Sequence, residues 1–75
     1  MWRRVLPGTD GVKARAEHAL QRNLADQATG IRVEVFGGHV ELHGSVPSAA
    51  VSSEAERVAR ATRGAKGVYN FLEVR

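Results

Sequence analysis

His39 and His43 fall on the same side of one extended run, and two imidazoles on one face raise the question of a metal. The spacing argues against one. Four residues at ~3.3 Å each set the two about 13 Å apart, whereas a metal bonds nitrogen at ~2.1 Å. His18 lies in a helical pattern with no partner at ligand spacing, so all three histidines read as solvated. Glu34 and Glu41 face each other if Gly37-Gly38 is a turn, which opposes like charges at a cost of up to roughly 1 kcal/mol. Arg32 and His43, one step along, partly neutralise them, and two carboxylates on a flat sheet make a poor cation site. Arg57, Arg60, Arg63 and Lys66 form a basic cluster in a chain with 11 Lys and Arg against 8 Asp and Glu, formal net charge +3. The plain account is a helix end that favours cations, with Glu56 pairing Arg60. The functional account is a phosphate-binding stripe for anionic lipid. Cysteine is absent, no histidine–carboxylate pair stands at a useful spacing, and Ser48, Ser52 and Ser53 gather at a helix start, where hydroxyls cap. We expect no catalysis, no cofactor and no bound metal.

The elements that position these groups are written in alternations and stops. Ile31, Val33 and Val35 alternate with Arg32, Glu34 and Phe36, and after Gly37-Gly38 the alternation resumes with Val40, Leu42, Gly44 and Val46. Two strand-like runs joined by Gly-Gly predict a hairpin, because a two-residue primed turn needs positive φ at its centre. Pro47 closes the second strand and Ser48 is set to cap a helix in which Val51, Ala55, Val58, Ala59 and Thr62 share a face. Gly64 is expected to end that helix as a left-handed C-cap. Upstream, Asp10 is expected to cap a first helix over roughly 10–28, with Val12, Ala16, Leu20 and Leu24 recurring every four residues and Gly30 ending it. Val68, Asn70, Leu72 and Val74 alternate with Tyr69, Phe71, Glu73 and Arg75 as the last strand. Residues 1–9 lack periodicity and are read as a flexible leader before a single domain, 10–75.

The order α-β-β-α-β predicts a two-layer α+β sandwich with a three-stranded mixed sheet and both helices on one face. The hairpin is antiparallel, and a right-handed crossover returns the third strand parallel to the second, at an edge. The covered face is expected to hold Ile31, Val33, Val35, Val40, Leu42, Val46, Val68, Leu72 and Val74, all aliphatic. Phe36, Tyr69 and Phe71 then point away from the helices. A small domain normally places its aromatics in the core, so three outside it are read as an interaction surface. The plainer reading is a modest patch that Trp2 folds back to cover. Gly38 and Gly64 are expected at positive φ, and Gly44 is expected to let a helix approach the sheet.

Val33, Val35, Gly38, Val40, Leu42, Gly44 and Val46, followed after the helix by Gly64, Val68, Asn70, Leu72 and Val74, make a pattern that resembles the BON-domain family. The likeness runs from about residue 12 to 74 and departs at Ala65, where the family usually has valine. It implies a non-enzymatic binding or docking module of the bacterial cell envelope or periplasm, associated with osmotic stress, that contacts phospholipid or a protein partner. Self-association through the open sheet face or the edge strand is a further expectation. If the 75 residues were the complete protein, a cytoplasmic location would follow, since no signal peptide precedes them. The alternative is a module resembling KH domains, which clamp single-stranded nucleic acid with a G-x-x-G loop, here Gly64-Ala65-Lys66-Gly67.

Overall fold

The computed structural model describes residues 11–75, so Trp2, Asp10 and the leader lie outside the described residues. Helix α1 spans Val12–Leu24, and its four-residue stripe buries Ala16, Leu20 and Leu24. Gly11 stands at the cap position, its carbonyl taking the Arg15 amide at 3.1 Å. The helix is shorter than the periodicity predicts. It breaks at Ala25, which takes φ +52° and ψ −121°, and the chain continues as a 3₁₀ helix over Ala25–Gly30. Thr29 Oγ1 donates to the Asp26 carbonyl at 2.8 Å and helps to hold that tighter winding. Alanine at such a dihedral pair is strained, since its Cβ crowds the backbone. Ala25→Gly should therefore raise stability, by about 0.5–1 kcal/mol after glycine's own entropy cost. Urea unfolding of the two proteins checks this, and a less stable glycine variant would contradict the strain.

Strands β1, Ile31–Phe36, and β2, His39–Val46, form the hairpin, and Gly37 (φ +58°) and Gly38 (φ +86°) are its two turn residues. The register pairs Phe36 with His39, Glu34 with Glu41 and Ile31 with Gly44, so the two glutamates are directly opposed. Ser48 caps helix α2, Ala49–Arg60, by accepting the Val51 amide at 3.2 Å. Here too the end comes early, at Arg60, with Ala61 at the cap position. Gly64 is not the cap. It has φ +95° as the third residue of a turn that the Ala65 amide closes on the Thr62 carbonyl, at 3.1 Å. Thr62, buried just past the helix, satisfies its hydroxyl on the Val58 carbonyl at 3.2 Å.

The last strand is parallel to β2 and broken in two: β3, Gly67–Asn70, and β4, Glu73–Val74. The register does not slip across the break. Leu42 pairs with Asn70 before it and Ser45 with Glu73 after it, both 28 positions apart in the chain. Strand order is β1-β2-β3, with β4 extending the third position alongside β2. Helix α1 lies over β1 and α2 over β2 and β3, so both cover one face of a mixed sheet. Between the layers lie Ala16, Leu20, Leu24, Val33, Val40, Leu42, Ala55, Val58 and Ala59, with Ile31, Val35, Val68 and Leu72 packed at the margin. Val74 departs from the expected core: it is 52% exposed on the two-residue β4.

Gly44 departs from expectation in its cause. With φ +119°, a Cβ built on it would stand 2.0 Å from the Gly30 carbonyl oxygen. The close approach is that of the chain entering β1, not of a helix over the sheet.

Candidate functional site

Strand alternation sends Arg32, Glu34 and Phe36 from β1, His39, Glu41 and His43 from β2, and Tyr69 and Phe71 from the third strand position to the helix-free face. Phe36, Tyr69 and Phe71 are 62%, 52% and 54% exposed. The rings associate. His43 stacks on Phe71 at 5.1 Å between centroids and 19° between planes, and Tyr69 lies 6.4 Å from Phe71 at 23°. His39 tilts against Tyr69 at 5.6 Å. The two histidines thus sit on different aromatics, and no group of three or more metal-ligating side chains occurs among the described residues. His18 is exposed on α1.

One departure from the sequence reading concerns His43, whose Nε2 lies 3.0 Å from Glu41 Oε1. A histidine–carboxylate pair does form, because residues two apart on one strand face are only about 6.6 Å apart at the backbone and both side chains are long. The serines at the start of α2 lie in the other layer, where Ser48 caps the helix and Ser52 meets Asn70. The pair is therefore a hydrogen-bonded contact on the sheet face, beside the Arg32–Glu34 ion pair at 3.5 Å.

The basic residues are elsewhere. Arg57 and Arg60 project from α2, where Arg57 Nε donates to Glu54 Oε1 at 3.0 Å and Arg60 donates to Glu56 at 2.6 Å. The hydrogen bond from Arg57, aided by its charge, holds the Glu54 carboxyl below its usual range, and the same bond raises the Arg57 guanidinium. That stabilising effect is present above the ordinary carboxylate pKa and is lost as the pH falls through the lowered one. Arg63 joins Arg15 and Arg57 around a shallow groove between α1 and α2, floored by Ala19, Val58 and Ala61. The Arg15 guanidinium donates to the Arg63 carbonyl at 3.2 Å. Lys66 is separate from this set. Its amide donates to the Gly38 carbonyl at 2.8 Å and its side chain lies over the hairpin turn. Gly64-Ala65-Lys66-Gly67 therefore links α2 to β3 and braces the turn, whereas the nucleic-acid clamp it resembles joins two helices.

Asn70 is the side chain whose importance sequence reading missed. Its Nδ2 donates to the Ser52 carbonyl at 3.3 Å, to Ser52 Oγ at 3.0 Å and to Glu56 Oε1 at 3.2 Å. Its Oδ1 accepts the Leu72 amide at 2.9 Å, at the break between β3 and β4. The available signal was a polar residue in an otherwise aliphatic inward alternation.

Every glycine, hairpin and strand position above falls within one family model, described as BON domain, which matches residues 9–75. The chain belongs to the BON-domain family. No curated protein matches it. BON domains are binding modules for phospholipid or protein, associated with the cell envelope or periplasm. In this BON domain the aromatic face and the arginine groove occupy opposite layers of the sandwich, so one flat partner cannot meet both.

Proposed function

We propose that this BON domain is a non-catalytic docking module of the bacterial cell envelope whose open sheet face takes a protein partner. The observation that carries the reading is the stack of Tyr69, Phe71 and His43 on a face with no helix above it among the described residues, Tyr69 and Phe71 being half-exposed. Contiguous exposed apolar surface of this kind favours an interaction site, and Tyr and Phe are enriched where partners meet. The charges on that face favour protein over bilayer. Arg32 pairs with Glu34 at 3.5 Å and Arg75 with Glu73 at 2.6 Å, so the face offers little attraction to anionic headgroups.

A second reading belongs to the other layer, where Arg15, Arg57 and Arg63 rim an apolar-floored groove suited to an anionic phospholipid. One pair of variants separates the two. Tyr69→Ser with Phe71→Ser should leave the fold intact and weaken capture of envelope protein at least about ten-fold, because central aromatics carry most of such binding. Arg15→Ala with Arg63→Ala should leave that capture unchanged and lower cosedimentation with phosphatidylglycerol vesicles. If the aromatic double variant captures protein as well as the wild type does, the sheet-face reading is wrong.

A further inference from the structure

We infer that β1 is a self-pairing edge, through which two copies of this domain join antiparallel into one continuous sheet. β1 is an outer strand, six residues paired to β2 without interruption, and holds no proline or glycine. The opposite edge is blunted, since Asn70 takes the Leu72 amide and the strand is broken there. Unpaired edges invite pairing with another chain unless they are covered or charged.

Backbone alternation decides which groups of β1 are left unpaired among the described residues. The pair flanking a two-residue turn is hydrogen-bonded, so Phe36, Glu34 and Arg32 bond to β2. The carbonyls of Leu42 and Val46 face the other way, to the Phe71 and Arg75 amides, which fits the same alternation. Ile31, Val33 and Val35 therefore turn their N–H and C=O groups outward. A two-fold pairing that keeps both helix layers on one side has few registers. Centring it on Arg32 or on Glu34 sets like charges against each other. Centring it on Val33 sets Arg32 against Glu34 of the second copy, twice, and Ile31 against Val35 of the second copy. This register is self-complementary, as an isologous interface must be. On the helix side it also roofs the apolar margin of a shallow groove that Leu20, Ala28, Ile31 and Val33 line at this edge.

Lys13 is the guard. From the helix layer its Nζ reaches within 3.9 Å of Glu34 Oε1 on the outer face, while Val33 between them is held in the core at 2% exposed. An exposed ion pair of that length is worth little and yields to a partner strand. The pairing leaves the aromatic face open, so it stands or falls independently of the docking reading.

Sedimentation equilibrium from micromolar to millimolar chain tests it. The wild type should dimerise across that range. Arg32→Glu and Glu34→Arg should each weaken the dimer at least about ten-fold, since each places two like-charged pairs across the two-fold axis. An equimolar mixture of the two variants, both shown to be folded by circular dichroism, should restore it, because opposite charges then meet again. A wild type that stays monomeric at millimolar concentration overturns the inference. So does a dimer unaffected by either reversal, or a mixture of folded variants that fails to pair.

Discussion

Gly44→Ala should be the most damaging single-methyl change in this domain, costing about 3–5 kcal/mol. Two effects add. The added Cβ would stand 2.0 Å from the Gly30 carbonyl oxygen, a backbone atom with no rotamer to escape into. The residue also holds φ +119°, a conformation that alanine adopts only under strain. Gly37→Ala is the matched control. Gly37 has φ +58° but nothing within 4 Å of a built Cβ, so only the conformational cost of about 1 kcal/mol applies. A domain of this size is stable by only about 4–11 kcal/mol, so the first variant should be largely unfolded at moderate temperature and the second should not. Thermal melts decide it. Equal melting temperatures for the two variants would mean that the strand entry relaxes freely, and the close approach would then carry no energetic weight.

Asn70→Ala should cost about 2–3 kcal/mol, large for a half-buried polar residue. One side chain satisfies the Leu72 amide at the strand break and also ties the third strand to α2 through Ser52 and Glu56. Removing it leaves several partners unsatisfied in a partly dry site, where each costs about 1 kcal/mol or more. Asn70→Asp divides the two roles. The aspartate keeps an acceptor for Leu72 but sets a carboxylate against Glu56, whose Oε1 is 3.2 Å from the native Nδ2. At neutral pH it should be at least as destabilised as the alanine variant. A near-native Asp variant by urea denaturation would show that capping Leu72 is the whole role and that the tie to α2 contributes nothing.

The placement of the aromatics and the arginines bears on how such a module works. The Arg57, Arg60 and Arg63 set and the aromatic face lie on opposite sides of the domain, with two layers of protein between them. The domain is better described as two-sided, with an apolar, charge-balanced sheet face and a basic helix face. Lys66, grouped with the arginines by sequence proximity, instead supports the hairpin turn.

Taken alone, the sequence determined whatever depends on neighbours a few residues away. Alternation with Gly37-Gly38 placed the hairpin and opposed Glu34 to Glu41, because a two-residue turn leaves one register. The Ser48 cap and the parallel crossover to the third strand followed from equally local chemistry. Tertiary structure decided the remainder, through contacts that no local pattern encodes. Both helices stop early, at Leu24 and Arg60, although the periodicity runs on, because the chain must turn to enter β1 and β3. The constraint on Gly44 comes from Gly30, fourteen positions away, and is invisible until the hairpin closes. Val74 kept a core-like alternation yet lies exposed, because alternation sets the face a side chain takes and not what covers it. Asn70 followed the same inward alternation, but its place at the sheet edge, within reach of Ser52 and Glu56, made it a tie between layers. Period and turn chemistry are properties of a segment, whereas coverage, close approach and polar satisfaction belong to packed layers.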